Sequence, residues 1–281
     1  MILVFGQTGQ VARALQEQAP VTALGRDQAD LRDPDACARA IADHAPAVVI
    51  NAAAYTAVDR AEDDAATALQ VNATAPAAMA RACAARGIPF LHISTDYVFS
   101  GQGTARWRPD DPTNPQNAYG RSKLAGEDGV RAAGGRFAIL RTSWVFSAQG
   151  ANFVTTMLRL SQTRDALNVV DDQIGGPTPA ADIAATLLVM AQAMRDGAAG
   201  GIYHYAGAPD TSWAGFAREI FAQAGRAVTV TGIPTSAYPT PAARPLNSRL
   251  NCDTLHVDFG VKPCDWHKGL AAVLAAEKDR P

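Results

Sequence analysis

The 281-residue sequence predicts an α/β protein, a doubly wound parallel sheet with a smaller C-terminal α/β part interleaved with it. Three observations carry this expectation. Through the first half, short apolar runs alternate with longer stretches of helical period, as βαβ units require. A glycine-rich turn directly follows the first apolar run. Beyond about Ser147 the rhythm loosens and Gly/Pro-rich segments intervene, which is the composition of loops over a cleft.

In chain order, strands are expected at Ile2–Phe5, Val21–Leu24, 47–50, 89–93 and 137–140, each a short apolar run bounded by turn signals, as strands buried on both faces read. Helical period fills 9–18, 34–44, 65–86 and 119–132, each long enough for a crossover between parallel strands. The second half keeps helical stretches at 152–162, 180–194, 213–224 and 267–276, with strands at 202–205 and 228–231. Loops are expected at 175–179 and 238–245. No internal repeat or low-complexity linker divides the chain. Residues 1–146 are therefore expected to form one part and 147–281 to fold against it, with some segments returning to the first.

With 48% hydrophobic and 19% charged residues, the chain can bury a substantial core. The formal charge of -2 provides no broad positive field, so neither nucleic acid nor an acidic membrane is expected as a partner. Cys37, Cys83, Cys252 and Cys264 form no CxxC pair and read as reduced, buried thiols. The histidines, His44, His92, His204, His256 and His267, show no ligand spacing, so no metal site is expected. The opening Met1-Ile2-Leu3-Val4-Phe5 lacks the pattern of a signal peptide, and the apolar run at 183–194 falls short of the roughly 20 residues that span a bilayer. A cytoplasmic location is the expectation.

The turn after the first strand reads Gly6-Gln7-Thr8-Gly9-Gln10-Val11-Ala12. Gly6 permits a tight turn, Gly9 lets backbone approach a pyrophosphate, and Ala12 lets the helix pack closely, the logic of a Rossmann-like dinucleotide site. A lone glycine pattern is weak; its place behind the first strand gives it meaning. At the end of the second strand, where an acidic residue would hold the ribose hydroxyls of NAD, stands Gly25-Arg26-Asp27. Arg26 suits a 2′-phosphate, so NADPH is favoured, with Asp27 keeping NADH possible.

Tyr119-Gly120-Arg121-Ser122-Lys123 puts a phenol and an ammonium one helical turn apart, on one face. A nearby cation lowers a phenol's pKa, which otherwise is about 10, and so brings proton transfer toward neutral pH. Chance alone would give about 0.09 Tyr-x-x-x-Lys pairs in such a chain. What adds weight is Ser94-Thr95 at the end of the fourth strand, because ligands of open α/β sheets bind beyond the carboxyl ends of strands.

At this point the sequence resembles the extended short-chain dehydrogenase/reductases, and more narrowly the dTDP-4-dehydrorhamnose reductase family. The stretches that carry the resemblance are 5–11, 49–59, Ile93-Ser94-Thr95-Asp96-Tyr97-Val98-Phe99, 119–127, 141–146, 172–178 and 244–248, so it runs nearly end to end. It implies hydride transfer from NADPH or NADH to C4 of a dTDP-linked 4-keto-6-deoxy sugar. Tyr119 would donate the proton, Thr95 would bind the carbonyl oxygen, and Lys123 would anchor the nicotinamide ribose while keeping Tyr119 acidic. It also implies Asp30 and Leu31 beside the adenine, Ala53, Ala54, Tyr55 and Thr56 along the middle of the cofactor, and Asp96, Tyr97 and Trp144 against the substrate. For the alanines and Trp144, core packing is the competing account. A nucleotide-sugar dehydratase of the same superfamily carries an Asp-Glu pair after the hydroxyl; here Tyr97 follows Asp96, which disfavours elimination.

Some family members bridge a dimer through metal held by an acidic residue in the first helix, whereas this chain has Arg13-Ala14-Leu15 there. A homodimer is compatible with the family, but metal bridging is not expected. Arg244 and Arg249 could meet a diphosphate or form surface ion pairs, with neither favoured. His92, on a strand, reads as a core histidine. Two alternatives stay open: a reductase or epimerase acting on another nucleotide-activated 4-keto sugar, and a non-catalytic NADP-binding subunit like that of methionine adenosyltransferase.

Overall fold

The structure is a computed structural model that describes residues 1–278. The first half runs β1 (Ile2–Phe5), α1 (Gln10–Gln18), β2 (Val21–Leu24), α2 (Pro34–His44) and β3 (Val48–Asn51). A helical stretch in two pieces follows, α3 (Ala65–Leu69) and α4 (Ala75–Ala84), then β4 (Phe90–Thr95), α5 (Ala118–Ala132) and β5 (Phe137–Thr142). Beyond it lie β6 (Val145–Phe146), α6 (Phe153–Leu160), β7 (Ala166–Val170), β8 (Ile174–Gly175), β9 (Thr178–Pro179), α7 (Ala180–Arg195) and β10 (Gly201–His204). The last elements are β11 (Thr211–Ser212), α8 (Trp213–Ala224), β12 (Thr229–Ile233), β13 (Asn247–Ser248), α9 (Asp253–Phe259) and α10 (Trp266–Lys278).

Six strands form one parallel sheet in the order β10-β5-β4-β3-β1-β2. The doubly wound sheet expected from the sequence is therefore present, and its sixth strand comes from the second half of the chain. Leu15, Ile183 and Leu187 from α1 and α7 pack on one face. Ile41, Met79 and Val130 from α2, α4 and α5 cover the other. A third apolar cluster, with Phe146, Phe216 and Trp266, holds the C-terminal part together.

The helical period at 65–86 is interrupted by one π-helical turn over Gln70–Thr74. Pro76 lacks the N–H that would bond the carbonyl of Asn72 four residues back, so a continuous α-helix cannot form there. Strands β4 and β5 run two residues past the apolar runs that announced them, because the ladder continues through the pairs Ser94–Arg141 and Thr95–Thr142. Strand β7, which pairs in parallel with β12, is absent from the sequence reading. Its alternate residues are exposed and Asn168 interrupts its apolar character, so it resembles a loop to any search for apolar runs.

The π-turn has a packing consequence. A Cβ on Gly126 of α5 would lie 2.0 Å from the Asn72 carbonyl oxygen, so only glycine lets these helices approach. Asn72 in turn donates to Ser122 Oγ on α5 at 3.0 Å. Gly126→Ala is expected to destabilise the protein by about 1–3 kcal/mol through overpacking, a change that thermal denaturation will register as a lower Tm.

Candidate active site

The ends of β1 and β3 almost touch at the point where β1 lies between β2 and β3. Gly6 has φ +109°, and a Cβ there would sit 3.2 Å from the Ala53 nitrogen and 3.3 Å from the Ala52 carbonyl oxygen. Glycine is thus required by both conformation and space. Gly9 begins α1 without any side-chain cap, leaving that positive helix end to take an anion. Thr8 and Gly9 are exposed, Gln10 is half-buried and Val11 is buried. Gln10 Oε1 accepts from Ser147 Oγ at 2.8 Å and Asn152 Nδ2 at 3.2 Å, which ties this turn to the C-terminal part. The arrangement fits a dinucleotide diphosphate.

At the end of β2, Arg26 and Asp27 are both exposed. The Asp27 carboxylate folds back over Gly25, where a Cβ would meet it at 2.6 Å and Gln7 Oε1 at 2.8 Å. Asp30 is gripped by Arg32, with Nε and Nη2 donating to Oδ2 at 2.9 and 2.6 Å, and this partner holds its carboxyl below the usual range. Leu31 is buried in the core under α2. Ala53 is half-buried, whereas Ala54 and Thr56 are exposed. The backbone of Tyr55 is clamped by Asn72, which accepts from its N–H at 2.8 Å and donates to its carbonyl at 3.0 Å.

Thr95 closes β4, and Tyr119 and Lys123 lie in the first two turns of α5. The helix starts where Asn117 Oδ1 accepts from the Gly120 N–H at 2.7 Å, a regular side-chain cap. Burial pushes the phenol of Tyr119 up to about 12, with the Thr95 hydroxyl pulling the other way. Lys123 is fully buried. Its Nζ donates to the Ile93 carbonyl at 2.7 Å and lies 3.2 Å from His92 Nε2. Burial lowers this amine to about 8 and the Glu127 carboxylate opposes the shift. In this conformation Lys123 turns inward, and the forces acting on the phenol are burial, Thr95 and the charge of Asp96.

Asp96 is 2% exposed, and desolvation raises its carboxyl to about 6 against the pull of the Ser248 and Thr95 hydroxyls. Thr95 Oγ1 donates to its Oδ1 at 3.1 Å, while Oδ2 has no hydrogen-bond partner among the described residues. Tyr97 meets Tyr119 edge-on, with centroids 5.5 Å apart. Trp144 sits in the left-handed region, at φ +48°, which is strained for such a residue. Its ring stacks on Trp213 at 3.7 Å. Arg244 is paired with Asp59 at 2.6 Å and Arg249 lies 3.7 Å from Asp210, so of the two accounts open for these arginines the ion pair is the one observed. All four cysteines are unpaired thiols.

A doubly wound sheet, a glycine turn at its crossover point and a Thr-Tyr-Lys set at the same edge define an extended short-chain dehydrogenase/reductase. Residues 1–278 match the family described as the RmlD substrate binding domain. The dTDP-4-dehydrorhamnose reductase of Burkholderia thailandensis is 48% identical, the match covering 94% of this chain and 95% of that one. The enzyme of that name from Sinorhizobium fredii is 44% identical over 98% and 97% of the two chains. Among solved structures, a dTDP-4-dehydrorhamnose reductase from Clostridium acetobutylicum superposes with a TM-score of 0.92 at 35% identity, covering 99% of each chain. One from Bacillus anthracis, in complex with NADP, gives 0.91 at 32% identity and 98% of each. The chain belongs to the dTDP-4-dehydrorhamnose reductase family.

Sequence reasoning missed Asn51, Asn72, Asn117 and Trp213, and treated His92 as core alone. A polar residue at the end of an apolar run was the available signal for Asn51, and an asparagine just ahead of a helical stretch was the signal for Asn117. Nothing local announces Trp213, whose contact with Trp144 crosses the fold. Among the described residues no cluster of three or more His, Cys, Asp or Glu could hold a metal.

Because burial raises the Asp96 carboxyl above its unfolded value of about 3.9, the folded protein holds this proton more tightly than the unfolded chain. Its contribution to stability is full below about pH 4 and is lost as pH rises through about 6. Asp96→Asn, which cannot ionise, is expected to gain stability relative to the parent between pH 4 and 7, by a few kcal/mol in order of magnitude. Paired melting curves across that range will test this; a constant difference would contradict it.

Proposed function

We propose that the chain reduces the C4 keto group of dTDP-4-dehydro-β-L-rhamnose with NADPH, giving dTDP-L-rhamnose, with Tyr119 as proton donor. The observation that carries this reading is the placement of Tyr119, at the start of α5, against Tyr97 just past Thr95 at the carboxyl end of β4, on the same side of the sheet as the glycine turn. Gly6, Thr8, Gly9, Gln10 and Val11 would hold the diphosphate, with Asp30, Leu31, Ala53, Ala54, Tyr55 and Thr56 along the rest of the dinucleotide and Lys123 at the nicotinamide ribose. When bound, the reduced nicotinamide supplies the hydride.

The protein's own part is to bind, orient and protonate. On substrate binding the Thr95 hydroxyl would turn its single proton from Asp96 to the substrate carbonyl oxygen, where negative charge develops. A phenol pushed up to about 12 remains protonated at neutral pH, yet it is a far stronger acid than the alcohol being formed. Proton transfer from Tyr119 to the nascent alkoxide is therefore downhill. Asp96 and Tyr97 border the sugar site, and the strained, stacked Trp144 offers it an apolar face. With Tyr97 where a second carboxylate would serve elimination, reduction is the chemistry these groups support.

Purified protein supplied with freshly generated dTDP-4-dehydro-L-rhamnose is expected to consume NADPH, followed by loss of reduced-nicotinamide absorbance; absence of turnover by folded protein rejects the proposal. Tyr119→Phe is expected to lower kcat by about 10²–10⁴-fold while NADPH affinity holds. For the coenzyme, Arg26 would meet the 2′-phosphate. Arg26→Ala is expected to raise the KM for NADPH about tenfold, the loss of one charge-assisted contact, with little effect on NADH. Equal losses for both coenzymes would remove Arg26 from that role.

A further inference from the structure

Behind Lys123 lies a buried chain of polar groups that the reduction itself does not use. Asn51 ends β3, His92 lies in the middle of β4, and both are buried. Asn51 Oδ1 accepts from the Ala53 N–H at 3.2 Å, which fixes the orientation of its amide. The amide nitrogen then faces His92 Nδ1 at 3.1 Å. A nitrogen facing an N–H donor must be bare, so the proton of the neutral ring sits on Nε2. Nε2 faces Lys123 Nζ at 3.2 Å. A ring N–H can be received by a neutral amine, which has a lone pair, and not by an ammonium, which has none.

We infer that Asn51, through the tautomer it imposes on His92, makes the inward position of Lys123 available to the amine only and turns the ammonium outward, toward Tyr119 and the nicotinamide ribose. Asn51 and His92 are positioning residues on this view. They set which protonation state of Lys123 reaches the reacting groups, and so couple its charge to its direction. The inference rests on the proposed role of Lys123 in the reductase reaction.

The surrounding charges are consistent with a poised group. From α5 itself, Glu127 favours the ammonium, but it is engaged by Arg141 of β5 at 2.6 Å and by Ser94 of β4 at 2.6 Å. His204 of β10 stands beyond Arg141 at 3.5 Å. Burial keeps His92 well below its ordinary value, hence neutral. Strand β3 and the π-turn contribute only the uncharged Asn51 and Asn72. Past the end of β4, the charge of Asp96 acts on Tyr119.

The test is Asn51→Asp. A carboxylate at this place accepts from Nδ1–H, which leaves Nε2 bare and welcomes the ammonium inward. Nitrogen-15 NMR of the parent protein is expected to find His92 protonated on Nε2, and the variant is expected to reverse the tautomer. With only four lysines in the sequence, ε-carbon NMR can follow Lys123, whose midpoint is expected near 8 in the parent and about one pH unit or more higher in the variant. In turnover, the pH profile of kcat should shift the same way and its plateau should fall, because the ammonium is now held away from the site. Nδ1 protonation in the parent overturns the inference, and needs no variant to fold. So does an unchanged lysine midpoint in a folded variant. Should the NMR outcomes hold while the pH profile stays put, the device exists but Lys123 lacks its assigned role, which separates the two failures.

Discussion

Helix α5 carries Tyr119 and Lys123, Thr95 ends strand β4, and one buried ion pair fixes the register between helix and strand. Glu127 on α5 and Arg141 on β5 meet at 2.6 Å with both side chains almost wholly enclosed. Ser94, the residue before Thr95 on β4, donates to the same carboxylate. Such a pair is poor evidence for net stability, since removing two charges from water offsets most of their attraction. Breaking it is another matter, because a lone buried charge costs about 3–5 kcal/mol. Rotation or sliding of α5 over β4 and β5 would do that, so the pair specifies a single seating of the helix.

The second constraint is closeness. Gly6 against Ala52 and Ala53, Gly126 against Asn72 and Gly120 against the Tyr97 carbonyl, 2.3 Å from where a Cβ would lie, are all places where backbone replaces side chain. Gly6 and Gly120 stand just past the carboxyl ends of β1 and β4, and Gly126 lies where α5 meets the π-turn. Bringing backbone this near clears room for a flat, extended ligand and presents peptide groups to it. It also explains why the π-turn is tolerated, for a regular helix through Asn72 would lose the clamp on Tyr55 and the contact with Ser122 together.

The parallel sheet was legible because both its faces are covered, which makes its strands nearly continuous apolar runs such as Val48–Asn51. The glycine turn after β1 and the placing of Tyr119 and Lys123 one turn apart on a helix were legible because both are patterns of fixed local spacing. Strand ends were read short wherever polar residues continued a ladder, as at Thr95 and Thr142. What could not be read were contacts between distant segments. Trp144 against Trp213 and Asn51 against His92 depend on where the chain returns, and their local sequence resembles ordinary core. The inward turn of Lys123 belongs to the same class, since its direction is set by a histidine on another element.

That direction bears on how a buried active-site lysine can coexist with a buried tyrosine. Desolvation penalises both the ammonium and the phenolate, so it drives the lysine down and the tyrosine up. The two penalties fall on opposite charges, and each is relieved when the opposite charge is near. In the proposed reaction, giving a proton to the product would turn Tyr119 into a phenolate at the moment when an ammonium turned toward it would stabilise it most. A lysine held as a fixed cation would stabilise the phenolate before and after the step alike and make the tyrosine a weaker base to recharge. A lysine near its own midpoint can answer the change in charge as it happens, which is the advantage of burying it.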